Sequence, residues 1–273
     1  MEDLKYKRFF AFGCSYTHFV WPTWADIIAY DLDIPFENWG MSGSGNQSIH
    51  TRFVECQLKN ELTPEDLVIV SWSTWSREDR YIENHWKCGG NIFNNSFYDD
   101  EFVKKYWSWE NDLLRNATII HSTNKAYKDI ISYQMSLTGY PKFTGQGEMI
   151  PQFLRKLLGL EREPADKSIE KFFENKLDMP ATIKYPENSK FNGSCMDQHP
   201  DIKAHLYIVE NQIYPKLGLT LKETTRNRYI TMFNHIAAVL RPNDSYEFMV
   251  DKVNRVMVNM GVDLDKHSRH YGF

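Results

Sequence analysis

The sequence lacks the features that would place it in a membrane, in a secretory pathway or on nucleic acid. No stretch approaches the roughly 18 consecutive apolar residues that a membrane-spanning helix needs. The apolar run FFAFG near the start is shorter than the roughly 7–15 residues of a signal-peptide core. A formal net charge of −4 does not provide the basic surface that general nucleic-acid binding requires. We therefore expect a cytoplasmic protein with neither membrane nor nucleic acid as a partner.

Cysteine is also scarce and widely spaced. The four thiols, Cys14, Cys56, Cys88 and Cys195, are predicted to be free in a reducing compartment. His85 and Cys88 together with Cys195 and His199 form a His-x-x-Cys and Cys-x-x-x-His set that zinc could use. The two halves lie far apart in the chain, and His199 is better explained as a candidate catalytic base, so we predict no metal. No organic cofactor is required either.

Aromatic residues, by contrast, are abundant. They make up 15% of a chain whose 42% hydrophobic and 25% charged residues are ordinary for a globular protein. Trp72, Trp75 and Arg77 follow an apolar run, and we consider them as possible substrate contacts, Arg77 for an anionic group. Tryptophan at such positions more often packs in a core. The aromatic content alone does not choose among sugar, base and protein ligands.

The first 76 residues alternate between strand and helix signals. Apolar runs predict strands at 8–12, 35–39 and 67–72, the first two ended by Gly13 and Gly40. Helical spacing predicts helices after Pro22, which can occupy a first helical turn, and over 46–60. Strands alternating with helices over short loops predict an α/β fold. Its core would be a doubly wound parallel sheet with helices on both faces.

The rest of the chain is less regular. Residues 77–190 are read as a divergent, insertion-rich region, with a long helix within 101–137 and a modest strand signal at 181–185. Helical character returns at 201–217 and continues in two amphipathic helices near 221–240 and 244–260. We therefore divide the chain into a main domain, 1–217, and a C-terminal helical appendage, 218–273, whose helices could mediate oligomers.

Candidate catalytic residues lie where the predicted strands end, because functional groups of a doubly wound sheet gather beyond the carboxyl ends of its strands. A nucleophilic hydroxyl needs a base, a group that orients the base, and donors for the oxyanion. Ser15, His199 and Asp197 can fill the first three roles, and the backbone N–H groups of Ser15 and Gly43 the fourth. His205 competes as the base and could instead pair with Asp201 on one helical face. We prefer His199 because its loop before a helix can face the strand ends.

Three short segments carry a family resemblance. FGCSYT around Ser15, NWGMSGSG around Gly43 and DQHP around His199 resemble the blocks of the SGNH (GDSL-like) hydrolases, in the same order. The resemblance implies a flavodoxin-like sheet, Ser15 as nucleophile, Gly43 as an oxyanion-hole donor, and Asp197 and His199 as acid and base. It covers about residues 8–76 and 195–217.

The sequence departs from that family in two places. Ser73 stands where the family has an oxyanion-hole asparagine, and its shorter side chain is a weaker donor; Asn46 could substitute for it. Losing one such donor typically costs about 2.7–4 kcal/mol of transition-state stabilisation. The acid and base are also separated by one residue, where the family more often has two.

The residues predict a serine esterase or deacylase that forms an acyl-enzyme on Ser15. The resemblance to the SGNH hydrolases implies a small acyl ester or an acylated carbohydrate as substrate, an O-acetyl ester being one form. One alternative is a catalytically weakened SGNH-like module that binds a glycan or a protein partner, in which Ser15 merely caps a turn. Another is an assembly protein that oligomerises through its C-terminal helices.

Overall fold

Parallel strands form a central sheet. The computed structural model describes residues 5–94, 97–137, 180–186, 191, 197, 199–267, 269 and 271, and omits the side chains of residues 109, 110 and 113. The strands of these residues, in chain order, are β1 Arg8–Phe12, β2 Phe36–Asn38, β3 Asp66–Trp72, β4 Arg77–Ile82, β5 His85–Asn91, β6 Tyr133–Ser136 and β7 Ala181–Thr182. The central sheet has five of them, in the order β2-β1-β3-β6-β7, and β4 and β5 form a separate antiparallel hairpin.

Helices cover both faces of the sheet. They are α1 Trp24–Leu32, α2 Asn46–Asn60, α3 Asp100–Tyr106, α4 Trp109–Tyr127, α5 Ile202–Ile208, a π-helical segment Val209–Ile213, α6 Tyr214–Leu217, α7 Glu223–Val239, α8 Tyr246–Asn259 and α9 Leu264–His267. In β1, Phe9 packs into one hydrophobic cluster with α1, α5 and α7, and Phe10 packs into another with α2 and α4. Burial on both faces explains why β1 and β3 are continuous apolar runs. The predicted doubly wound α/β fold is confirmed.

Most of the predicted N-terminal elements are observed within one residue. The helix predicted over 46–60 is Asn46–Asn60, and the strand predicted over 67–72 is Asp66–Trp72. The first helix begins at Trp24, not at Pro22, because Thr23 and Asp26 form a capping box there. In that box the Thr23 backbone N–H donates to the Asp26 carboxylate at 2.8 Å.

The described residues of the region 77–190 agree with the prediction in part. The long helix predicted within 101–137 is α4, which Ser108 caps; the shorter α3 precedes it, and a sheet strand, β6, follows it. The four residues YQMS are too few to show a period that distinguishes strand from helix, so only pairing with β3 and β7 makes the segment a strand. The hairpin was also missed; both residues of its turn, Glu83 and Asn84, have positive φ, as a two-residue hairpin turn requires.

The helices after residue 217 pack into the same core as α1. α7 and α8 correspond to the two helices predicted near 221–240 and 244–260. Met232, Met249, Val253 and Met257 are fully or nearly fully buried in the cluster that also holds Trp24. A domain boundary at 217 and a role of these helices in oligomers stay predictions.

Across the described ranges, no helix combines the length and the apolar character needed to cross a bilayer.

Candidate active site

The loop after β1 and the loop before α5 bring a serine, a histidine and an aspartate into contact. Nε2 of His199 lies 2.8 Å from Oγ of Ser15, and Nδ1 of His199 lies 2.8 Å from Oδ1 of Asp197. The same carboxylate oxygen accepts the His199 backbone N–H at 2.7 Å. These distances satisfy the requirement that a nucleophile, its base and the group orienting the base form a hydrogen-bonded chain.

Asp197 determines which nitrogen of His199 can act as a base. A carboxylate only accepts, so Nδ1 must carry the hydrogen and Nε2 presents its lone pair to the Ser15 hydroxyl. Burial raises the pKa of Asp197, but the hydrogen bonds from His199 outweigh it and lower the pKa overall. Asp197 therefore remains an anion through the neutral pH range, where the imidazole needs its support.

A tight turn presents Ser15 at the end of β1. The backbone N–H groups of Thr17 and His18 both donate to the Cys14 carbonyl, at 2.8 and 3.1 Å. A Cβ on Gly13 would lie 2.1 Å from the Thr17 hydroxyl oxygen, so only glycine fits before this turn. The glycine that the sequence places two residues before Ser15 is therefore required by packing.

Asn38, at the end of β2, joins this turn to the next loop. Its side-chain N–H donates to the Thr17 carbonyl at 2.8 Å, and its side-chain oxygen accepts the Gly40 N–H at 3.0 Å. The Met41 N–H donates to the Gly13 carbonyl at 3.0 Å. The loops that carry Ser15 and Gly43 are thus held together by side-chain and backbone hydrogen bonds.

Gly43 has a positive φ of 80° and contacts the β4–β5 hairpin. A Cβ here would lie 2.2 Å from the Cys88 carbonyl oxygen, and the Gly43 carbonyl accepts the Gly90 N–H at 3.2 Å. Asp79 of β4 also accepts the backbone N–H groups of Gly45 and Ser48, at 2.7 and 3.0 Å, at the start of α2. The hairpin therefore supports the loop whose N–H group is the predicted oxyanion donor.

Asn46 has a different role from the one expected. Its Oδ1 accepts the Ser73 backbone N–H at 2.7 Å, and its Nδ2 donates to Oδ1 of Asn116 at 2.7 Å and to the Ser73 carbonyl at 3.4 Å. With its N–H groups engaged, this side chain braces the end of β3 and does not replace the family's asparagine. Oγ of Ser73 is buried and has no hydrogen-bond partner among the described residues.

Two of the three suggested substrate contacts, Trp72 and Arg77, form hydrogen bonds within the protein. Trp72 is fully buried and its indole N–H donates to Gln134 at 3.0 Å, so the prediction of a substrate contact is wrong and the packing alternative is right. Arg77 donates to the Ser44 carbonyl at 2.9 Å and braces the loop. Trp75 is partly buried and packs against the core cluster on the α2 face.

His205 is a buried residue of α5. It is 1% exposed, and burial lowers its pKa to about 3. Asp201 caps α5 by accepting the Ala204 N–H at 2.8 Å, instead of pairing with the His205 ring as considered above. The hydrogen bond to Ser15 comes from His199.

The zinc alternative finds no support in the part of the chain that is described. Cys195 lies outside the described residues, and His199 already contacts Ser15 and Asp197. Among the described residues, no three His, Cys, Asp or Glu side chains are close enough to hold a metal ion.

Two aromatic residues of the site were not anticipated from the sequence. The Phe19 ring stacks on the His199 imidazole with centroids 4.0 Å apart and an interplanar angle of 25°. The Trp21 indole N–H donates to the Pro200 carbonyl at 2.9 Å, one residue beyond His199. The aromatic-rich segment FVWPTW was the available signal, but nothing in it indicates a partner some 180 residues away.

Comparison with known proteins gives low-identity matches to solved structures. A catalytic mutant of an acetylxylan esterase from Geobacillus stearothermophilus matches with 12% identity and a TM-score of 0.40, over 78% of this chain and 94% of that one. A lipase/acylhydrolase from Enterococcus faecalis matches with 13% identity and a TM-score of 0.32, over 88% of this chain and all of that one. No protein-family model and no curated protein matches the sequence. Such low identities and TM-scores do not assign an activity, which has to come from the site itself.

Proposed function

We propose that this protein is a serine esterase or deacylase that forms an acyl-enzyme on Ser15. The observation that carries the proposal is the chain of 2.8 Å contacts from Ser15 through His199 to Asp197. A serine that merely capped a turn would not need a histidine and a carboxylate aligned behind it. Two of the SGNH-like motifs, FGCSYT and DQHP, lie in the loops that make these contacts.

The geometry supports a two-step mechanism. Oγ of Ser15 attacks the ester carbonyl carbon while its proton passes to Nε2 of His199, which Asp197 orients. The imidazolium returns that proton to the leaving alcohol oxygen as the C–O bond breaks. Water then attacks the acyl-enzyme with His199 again as base, releasing the carboxylic acid and restoring the Ser15 hydroxyl. Neither a metal nor an organic cofactor takes part in these steps.

Charge that develops on the carbonyl oxygen needs donors. We assign this role to the backbone N–H groups of Ser15 and Gly43, with the unpartnered hydroxyl of Ser73 as the side-chain contribution. A hydroxyl in place of an amide leaves the hole weaker, and one lost donor costs about 10²–10³ in kcat. We therefore expect turnover of an activated ester to be slow but measurable.

Ser15→Ala tests the proposal. We expect purified wild-type protein to hydrolyse p-nitrophenyl acetate and to be labelled by a fluorophosphonate at Ser15, and the variant to do neither. Thr51→Ala is the matched control, because that hydroxyl bonds only the Gln47 carbonyl of its own helix and should leave both signals intact. Turnover retained by Ser15→Ala would overturn the mechanism. A series of acyl chain lengths and acetylated sugars would then define the substrate.

The second candidate is a binding module without turnover. Large aromatic side chains are exposed on and beyond the hairpin: Tyr81, Phe93, Phe97, Tyr106 and Trp107. Such a surface suits a glycan or a protein partner. Absence of fluorophosphonate labelling in a folded wild-type protein would favour this function over the esterase.

A further inference from the structure

The base of the proposed triad is held from the loop that follows the nucleophile. Phe19 stacks on the His199 ring at a centroid distance of 4.0 Å, and Trp21 binds the Pro200 carbonyl. Ring stacking fixes the plane of the imidazole, while the indole hydrogen bond fixes the backbone beside it. The orientation of His199 therefore depends on the position of residues 19–21.

That loop is in turn held by a histidine from the far end of the described chain. Nε2 of His267 lies 3.1 Å from the Phe19 carbonyl oxygen, and Nδ1 lies 3.1 Å from Oδ1 of Asp26. Nε2 of His18 lies 2.7 Å from the His267 carbonyl oxygen. The His267 side chain is only 7% exposed, so these contacts are shielded from solvent. Without His267, the Phe19 carbonyl would lose this tie to α1.

The same segment reaches the second loop of the site. The Tyr271 carbonyl accepts a hydrogen bond from the Arg52 guanidinium, and the Tyr271 ring lies 5.7 Å from that of Trp39. Arg52 also donates to the Trp39 carbonyl at 3.0 Å. His267 thus contacts the loop after Ser15, and Tyr271 contacts Trp39 and Arg52 beside the Gly43 loop.

The contacts of His267 require a charged ring. A carboxylate and a carbonyl both only accept, so both ring nitrogens must carry hydrogen. Burial lowers the pKa of His267, but the charge and hydrogen bond of Asp26 outweigh it and raise the pKa overall. For Asp26, burial raises the pKa, but the charge and hydrogen bond of His267 outweigh burial and lower the pKa overall. The other titratable groups around the pair are His18 in the loop, His205 on α5 and Tyr229, whose hydroxyl donates to the Asp26 carbonyl at 3.0 Å.

We propose that His267 is a positioning residue for the reaction, which holds Phe19 against the imidazole of His199 through its bonds to Asp26 and the Phe19 carbonyl. The proposal rests on the esterase function above. His267 affects the chemical step and not substrate binding, because it contacts Phe19, and Phe19 packs on the base His199. A loss of alignment of about 1 Å at a catalytic group can cost up to about 10²-fold in rate.

Two variants and their controls test this role. The measured quantity is kcat per active site, with the number of active sites determined by fluorophosphonate titration. His267→Gln removes the charge and one of the two donors; Phe19→Leu removes the stacked ring, and Phe19→Tyr keeps it. We expect the first two to lower kcat by about 10- to 100-fold with KM unchanged. Phe19→Tyr should lose less kcat than Phe19→Leu, and His235→Gln, which changes an exposed histidine on α7, should retain wild-type kcat.

The pH profile separates positioning from general destabilisation. Because the pKa of His267 is raised in the folded state, its contacts are complete below its unfolded pKa of about 6.5 and are lost as pH rises through the raised value. Wild-type kcat should therefore fall on the alkaline side, and His267→Gln should lack that fall. Equal kcat per titrated site in wild type and His267→Gln would overturn the inference, even if the variant melts at a lower temperature.

The inference and the proposed function fail in different ways. A wild-type protein without Ser15-dependent turnover contradicts the esterase itself. An active wild type whose kcat is insensitive to His267→Gln contradicts only the positioning role. If Phe19→Leu does not fold, His267→Gln and its pH profile still decide the question.

Discussion

At the scale of single residues, the state of Asp197 decides whether His199 can act as a base. The carboxylate accepts from both the ring and the backbone N–H of His199, and its pKa is lowered by those bonds despite its burial. One oxygen thus fixes both the tautomer of the imidazole and the conformation of its loop. A neutral amide at this position would have the same shape, but one of its two polar atoms would donate hydrogen bonds, which a carboxylate cannot do.

We predict that Asp197→Asn lowers kcat by about 10²–10⁴-fold. The amide can stabilise the His199 tautomer in which Nε2 carries the hydrogen, and in that tautomer Nε2 cannot accept the proton of Ser15. Steady-state kinetics with an activated ester measure the effect. Asp201→Asn is the matched control, since asparagine caps a helix as well as aspartate and Asp201 contacts only the start of α5. Comparable losses in both variants would mean that the loop, and not the carboxylate, is what matters.

At the scale of elements, the β4–β5 hairpin and the Gly43 loop depend on each other. The loop has no room for a side chain beneath Cys88, and Asp79 of the hairpin satisfies the first N–H groups of α2 in place of a capping side chain at Gly45. Burial raises the pKa of Asp79, although its backbone hydrogen bonds oppose the shift. An element that sequence analysis assigned to an insertion therefore supports the proposed oxyanion hole.

Gly43→Ala should destabilise the protein more than backbone strain alone accounts for. A non-glycine residue at positive φ costs about 1–3 kcal/mol, and the new Cβ would also lie 2.2 Å from the Cys88 carbonyl oxygen. Gly261→Ala isolates the strain term, because Gly261 has φ of 75° and nothing within 4 Å of an added Cβ. Urea unfolding should rank Gly43→Ala below Gly261→Ala; equal losses would show that the hairpin moves aside without cost.

At the scale of the whole molecule, the C-terminal helices and the sheet share one hydrophobic core. Met257 on α8 belongs to the same buried cluster as Trp24 on α1 and Ile69 on β3. Shared burial predicts that these parts unfold together. The alternative, a separately folding appendage after residue 217, predicts two independent transitions.

Tryptophan fluorescence can distinguish the two, because all eight tryptophans lie between positions 21 and 109. We predict that Met257→Ala, which removes a buried side chain, lowers the stability reported by this fluorescence by about 2–5 kcal/mol. Val258→Ala on the same helix is the control, since Val258 is 53% exposed. A fluorescence midpoint unchanged by Met257→Ala would establish an independent C-terminal unit.

The sequence by itself determined the strands and helices of the first 76 residues. β1 and β3 are apolar runs because both faces of a parallel sheet are covered, and α2 has a helical period, so local pattern and final structure agree. It also singled out Ser15 at the end of a predicted strand, and His199 and Asp197 in the loop before a predicted helix. These inferences need only short-range pattern and the topology of a parallel sheet.

Only the tertiary structure decided the rest. β6 is a strand because β3 and β7 flank it. The Asn46 side chain is hydrogen-bonded to Ser73 and Asn116, and Trp72 lies in the core. Phe19 and His267 are 248 residues apart, and nothing local in either segment indicates their contact. The proposed nucleophile and its proposed base can be read from local chemistry, whereas the groups that hold them in place are selected by packing between distant parts of the chain.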